Sequence, residues 1–411
     1  MTATTQPAAA ALSQTLLGGL KVVEMSHIMA APTCGQLLAD MGADVIKVER
    51  LPAGDDTRKF GAAERGDSAA FAMMNRNKRG VALDMRSDEG RAVLRRMIDQ
   101  ADVFIENYRK GAMEHYGVGW EEVRKTNPRL IYCALSGFGR TGPYAERGGF
   151  DLITQGMSGI MSITGEAPGR PPVKVGAPIT DITAGALAAL GILGAVIQRG
   201  RTGEGQYVDT SLYEAGIFHT FWQTAIYHAT GEIPGPMGSA HPLSAPYQAF
   251  RTKDTAVIVG AANQSNWLKF LEAIESPGLA SDPRFTEPMD RVSNLADLVE
   301  TLEAILATRT TAEWLERLEA VGVPAGPVYD VAEMSADPHT LARGMIAHVP
   351  AFTGGEHAVI AHPIKYSNAE TNIARGAPMI GEHNAEVLAE FGFSAGEIET
   401  LTASGAVGST A

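Results

Sequence analysis

The chain has 411 residues, 45 % of them hydrophobic and 20 % charged, ordinary for a soluble globular protein and long enough for two domains. A formal charge of −13 excludes a general nucleic-acid binder, which needs a basic face, yet leaves room for a local basic cluster around a small anion. Cys34 and Cys133 are too few for a disulfide framework or a Cys-rich metal site, and their apolar surroundings suit buried, inert thiols.

Residues 1–16 are Ala/Thr/Gln-rich, without the basic start and long apolar run of a signal peptide, and read as a disordered tail on a cytoplasmic protein. From Leu20 onward, strands and helices alternate. Lys21–Met25 predicts a strand, and Pro32 opens a helix that runs to Met41 and stops at Gly42. Ala43–Val48 and Arg79–Met85 are the next strands; Ser87, with Asp88 and Glu89 behind it, starts a capped helix to Gln100. Val103–Glu106 and Arg129–Leu135 complete the series. Such alternation predicts an α/β fold with a parallel sheet covered on both faces, and ligands at the carboxyl ends of the strands.

The middle of the chain reads as helical. Ile182–Ile197 is almost entirely apolar or small, and falls short of the roughly 18–20 residues that a membrane span requires, so a buried core helix is expected. A polar, Gly-rich turn at Arg199–Gln206 leads into a helical segment at Tyr207–Thr230, whose Phe218, Phe221, Trp222 and Tyr227 suit a core or a subunit interface. Ile233–Pro246, rich in Gly and Pro, is a loop or linker. Tyr247–Ala262 predicts a hairpin turning at Lys253-Asp254; helices follow at Ser265–Ile274, Leu295–Ala307 and Thr311–Val321, and Val323–Pro327 punctuates the end. The resulting layout is a large domain at 17–225, a smaller α+β domain at 226–330, and a stretch at 331–411 that returns to the large domain.

Chemistry centres on Asp181, where the short extended stretch Lys174–Ile179 runs into the apolar helix. Two readings stand side by side. Asp is among the best helix caps, and a carboxylate kept ionised by a helix N-terminus and shielded from water is also a nucleophile. Gly137-Phe-Gly-Arg-Thr-Gly142 has dinucleotide-fingerprint spacing, but Pro143 follows at once and no helix opens, so no nicotinamide is expected. No two histidines have metal-ligand spacing, and no metal is expected. Basic residues gather at Lys47, Arg50 and Arg58, at Arg76, Lys78 and Arg79, and at Arg109 and Lys110; they suit a phosphorylated ligand or solvated loops equally.

Taken together, several short motifs resemble the class III CoA-transferases, the family that also holds the alpha-methylacyl-CoA racemases. They include Gly42-Ala-Asp-Val-Ile-Lys-Val-Glu49, Asn77-Lys-Arg79, Glu106-Asn-Tyr-Arg109, Gly149-Phe-Asp151, Thr202-Gly-Glu-Gly-Gln206, Gly322-Val-Pro-Ala-Gly-Pro327 and Gly381-Glu-His383. Each is weak alone, and their joint order is specific. The resemblance implies a Rossmann-like large domain built from both chain ends, a small domain inserted between them, and an interlocked homodimer. It implies acyl-CoA and a free carboxylic acid as substrates, with Asp181 as the nucleophile that forms an anhydride and then a thioester. It places coenzyme A against Ile28, Met29, Ala30, Arg50, Leu83, Arg86, Asn107, Tyr108, Arg109 and Gly137, with His115 where many relatives carry Arg. Phe150 stands where the racemase branch has its His, which favours transfer over racemisation. A catalytically idle CoA-binding protein is the reading from another class, and the presence of Asp181 speaks against it. The loop Gly238–Pro242 replaces the glycine run of the formate/oxalate enzymes, which points to dicarboxylates of four to five carbons: succinate, itaconate, mesaconate or malate.

Overall fold

The computed structural model describes residues 15–61, 67–371 and 373–408; the expected tail therefore lies, up to residue 14, outside the described residues. The chain divides into two compact units. One comprises the segment ending at Ile160, Val175–Trp222 and the segment from His339; the other comprises Met161–Lys174 and Gln223–Pro338. Met161–Lys174 thus falls in the smaller unit, apart from the 17–225 range expected for the larger one.

In the larger unit, β1 (Lys21–Met25), β2 (Asp44–Arg50), β3 (Arg79–Leu83), β4 (Val103–Glu106), β5 (Ile131–Ser136) and β6 (Gln206–Ser211) form one six-stranded sheet. Their order is β3-β2-β1-β4-β5-β6 and every neighbouring pair is parallel. That is the order of doubly wound nucleotide-binding sheets, with its switch point between β1 and β4. Successive residues of each strand feed opposite cores. Val23, Phe104, Tyr132 and Ala134 face one, while Val22, Val103, Ile105, Ile131, Cys133 and Leu135 face the other. A sheet buried on both faces needs such apolar strands. Cys34 and Cys133 both sit in the second core, where burial pushes their thiols up and keeps them protonated.

β6 corrects the helical reading of Tyr207–Thr230. Its first residues pair with β5, and the helices begin only at Leu212–Phe218 and Phe221–Thr230. The Tyr207-Val-Asp-Thr-Ser211 run is too short to show its period, and tertiary pairing decides it. The apolar helix is also longer than expected. It runs over Ile179–Thr202, 24 residues, which by length and composition is enough to cross a membrane. One side of it, including Ala184, Ala188, Ile192 and Ala195, packs into the second core. Gly185 makes this packing possible: a Cβ there would stand 2.5 Å from the Ala30 carbonyl oxygen of the Ala30–Asp40 helix.

The smaller unit has an antiparallel sheet of β7 (Tyr247–Arg251), β8 (Ala256–Gly260) and β9 (Ala325–Pro327). β9 is a correction too, since the Val323–Pro327 punctuation supplies a third strand. Trp267, Phe270, Phe285, Leu298, Leu302 and Trp314 form its core. In the larger unit, β10 (Ile346–Pro350) and β11 (Glu356–Ile360) make a hairpin, and the Asn384–Glu390 helix sends Val387 and Leu388 into the first core.

Candidate active site

The chain leaves β1 at Met25, β4 at Glu106 and β5 at Ser136, all at the same edge of the sheet, and the turns that follow line two small cavities sharing one wall. The inner cavity, about 90 Å³, is bounded by His27–Ala30, Asn107, Ser136, Gly149, Phe150 and Asp181, among others. The outer one, about 140 Å³, shares His27, Asn107, Gly137 and Phe150 with it and adds Arg109, Lys110, Arg140 and Arg147. Both lie at the switch point of the sheet, where the fold predicts a ligand. Gly137 and Gly149 permit this construction, because a Cβ on Gly137 would stand 2.6 Å from the Gly149 Cα.

Asp181 is the third residue of its helix and not its cap. Pro178 occupies the cap position and offers no side-chain acceptor. A free N–H group of the first turn is served from elsewhere: Asp151 Oδ1 accepts from Thr180 N at 3.0 Å, and also from Thr180 Oγ1 at 2.8 Å. Its Oδ2 accepts from Gln155 Nε2 at 2.7 Å. With that task taken, the half-buried Asp181 carboxylate has no hydrogen-bond or ion-pair partner among the described residues. Burial, and then the Asp151 charge, push its carboxyl up to about 7. A carboxylate stripped of water and partners is a strong nucleophile whenever it is ionised.

Four basic side chains, Arg109, Lys110, Arg140 and Arg147, line the outer cavity. Lys110 is paired with Glu146 at 3.1 Å, and Arg140 with the buried Glu106 at 2.5 Å. Burial pushes Glu106 up to about 7 against the pull of Arg140. Arg109 and Arg147 have no carboxylate partner among the described residues, although Arg147 lies over the Tyr144 ring at 4.7 Å. These two guanidinium groups are free to take phosphate oxygens.

Of the residues implied by resemblance, the structure brings together Asp181, Ile28, Met29, Ala30, Asn107, Tyr108, Arg109 and Gly137. Asn107 holds the turn itself: its Oδ1 accepts from His27 N at 3.0 Å and its Nδ2 donates to His27 O at 2.8 Å. Tyr108 packs its ring 5.0 Å from His27, and burial pushes its hydroxyl up to about 12. Four residues stand outside the lining of both cavities. Leu83 is fully buried in the first core, and Arg86 folds back onto Asp84 at 2.8 Å. Arg50 pairs with Asp56 at 3.4 Å, close enough for its charge to act on His27, and exposed His115 packs near Tyr116.

Sequence reasoning missed His27, Arg147 and Asp151. His27 lies two residues beyond the end of β1, so the strand-end rule could have found it; its Nδ1 is buried without a hydrogen-bond partner among the described residues, and burial lowers its pKa against the opposing pull of Asp55. Asp151 caps a helix remote in sequence, a role with no local signal.

The family model for CoA-transferase family III matches residues 17–384. The chain is 37% identical over 381 residues to a succinate–glutarate CoA-transferase of Agrobacterium fabrum, covering 91% of this chain and 95% of that protein. It is 37% identical over 377 residues to an acetyl-CoA:oxalate CoA-transferase of Acetobacter aceti, covering 91% and 95%. Its fold is similar to the crystal structure of a CaiB/BaiF family protein from Brucella suis, with a TM-score of 0.82, 42% identity, and coverage of 92% of this chain and 100% of that one. The chain is therefore an enzyme and a member of CoA-transferase family III.

Proposed function

We propose that this transferase moves CoA from an acyl-CoA to a free dicarboxylic acid through covalent intermediates on Asp181. The observation that carries the reading is a carboxylate without a partner among the described residues, at the switch point of the sheet, in a cavity that shares a wall with the one lined by Arg109 and Arg147. In the first step an Asp181 oxygen attacks the thioester carbonyl; the C–S bond breaks, and CoA leaves as thiolate with a mixed anhydride behind it. The thiolate then attacks Asp181 Cγ, the anhydride C–O bond breaks, and the donor acid leaves as carboxylate. The acceptor carboxylate attacks the aspartyl thioester and expels thiolate, which attacks the acceptor acyl carbon and regenerates the Asp181 carboxylate. Each step exchanges one acyl bond, and no electron or net proton is consumed.

Covalent steps of this kind divide one difficult exchange into easier ones. The small cavity supports them by keeping water from the anhydride. Arg109 and Arg147 suit the phosphates of CoA. Relatives named for glutarate and oxalate support a dicarboxylate acceptor, and the Gly238–Pro242 loop favours four to five carbons, as in succinate, itaconate, mesaconate or malate. Phe150, which lines both cavities, provides no second base for racemisation. A homodimer is part of the reading. The Phe221–Thr230 helix has no buried residue and leaves Phe221 66% and Trp222 60% exposed, an apolar face suited to a second copy. Succinyl-CoA and acetyl-CoA offered with a panel of acids, read by mass spectrometry, test the transfer. Hydroxylamine trapping should mark the peptide that contains Asp181. Absence of CoA transfer to every dicarboxylate would reject the substrate class, and label on any other peptide would reject the nucleophile.

A further inference from the structure

The turn that joins β1 to the Ala30–Asp40 helix carries the wall of the inner cavity, and its conformation is one its own sequence opposes. Ile28 has φ +65°, in the left-handed region that a β-branched side chain rarely enters. Strain of this kind persists only where the surroundings over-determine the backbone. Here they do. Asp55 Oδ1 accepts from Ile28 N at 3.2 Å, and is itself fixed by Thr57 N at 3.0 Å and Thr57 Oγ1 at 2.8 Å. Asp55 Oδ2 lies 2.9 Å from Lys47 Nζ, and Lys47 also donates to Ser26 O at 3.2 Å. Ser26 Oγ donates to Glu24 Oε1 at 2.6 Å, and Lys78 closes the chain 2.7 Å from Glu24 Oε2. All four charged side chains are 0% exposed.

Buried ion pairs often add no stability over apolar side chains of the same shape. A chain of four therefore calls for another task, and its contacts name one: it ends on the backbone of Ser26 and Ile28. We propose that Asp55 is a positioning residue for CoA transfer, its carboxylate fixing Ile28 in the left-handed conformation so that Ile28, Met29 and Ala30 keep their place beside Asp181. The inference rests on the reading of the Asp181 cavity as the transfer site. Lys47, Asp55's partner, is pushed up to about 12, and Lys47 and Thr57 hold Asp55 down at about 2 against burial. The Asp55–Lys47 pair thus stays ionised through the neutral range, whereas burial pushes Lys78, at the far end of the chain, down to about 8.

The test compares Asp55→Asn, Asp55→Glu and Ile28→Gly. Asp55→Asn removes the charge; Asp55→Glu keeps a charge for Lys47 but moves the acceptor, and serves if the first variant does not fold. Each should lower kcat/KM for acyl-CoA by roughly tenfold to a hundredfold, the scale of a small misplacement at a reacting centre. The loss should fall on kcat more than on KM, and amide exchange in the peptide spanning Ile28 to Ala31 should accelerate. Gly adopts φ +65° without strain, so in the Ile28→Gly background the loss from either Asp55 variant should shrink severalfold. Wild-type kcat/KM in a folded Asp55 variant, unchanged exchange at the turn, or an equal loss in both backgrounds would overturn the proposal. Full activity of Asp181→Asn would instead overturn the site reading, and the exchange measurement, which needs no chemistry, still judges the clamp.

Discussion

Asp55 and Asp181 lie at the same edge of one sheet and are treated in opposite ways. Asp55 receives a lysine and three hydrogen bonds and is held down at about 2; Asp181 receives no partner among the described residues and is pushed up to about 7. Around Asp55, Glu24, Lys47 and Lys78 form a closed, neutral set in which every charge has an opposite one within 3.6 Å. The charge that acts on Asp181 is another carboxylate, Asp151. A paired buried charge shapes the protein, whereas an unpaired one costs stability and is kept for what it can do to a substrate.

The comparison breaks most visibly at Asp181 itself. Asp181→Asn should fold, bind CoA and lose transfer by roughly four orders of magnitude or more, as nucleophile removal does; steady-state assays with succinyl-CoA check this. The same substitution should stabilise the protein. A carboxyl raised from 3.8 to about 7 holds its proton more tightly folded than unfolded, so its contribution to stability is present below pH 3.8 and is lost as pH rises toward 7. Thermal unfolding of Asp181→Asn should therefore exceed wild type at pH 8 and match it below pH 3.8. A variant less stable than wild type at pH 8 would return Asp181 to a structural role.

On the paired side, Glu24→Gln leaves Lys47 and Lys78 with one carboxylate between them. It should cost about 3–5 kcal/mol of stability, read by urea unfolding. A change of under about 1 kcal/mol would show the cluster to be slack. Next in size is pH. With one ionisation governing the nucleophile, kcat/KM should climb about tenfold per pH unit to a plateau above about 7. Asp151→Asn, which keeps an acceptor for Thr180 and drops the like charge, should move that limb to lower pH; a flat profile from pH 5 to 8 would contradict the perturbed carboxyl.

The arginines give the smallest effects. Arg109→Ala should raise the KM for acyl-CoA about tenfold, the value of one charge-assisted contact. Arg86→Ala should leave it unchanged, because Arg86 is already bound to Asp84 and lies outside the lining of both cavities.

How much of this was legible follows from the range of each interaction. Strands β1 to β5 announce themselves because a sheet covered on both faces demands apolar runs, and Ser87 caps its helix through Gly90 N as its sequence foretells. The joint order of short motifs identified the family, and Asp181 stood out at the mouth of an apolar helix. β6 was missed since six residues carry no clear period, and β9 since Pro-rich punctuation hides a short edge strand. What only the tertiary structure decided is the state of each charge. Asp151 takes the cap from 29 residues away, leaving Asp181 bare, and Asp55 reaches back 27 residues to hold Ile28. The sequence sets which residues can ionise; burial and partners brought in from distant segments set which of them remain reactive.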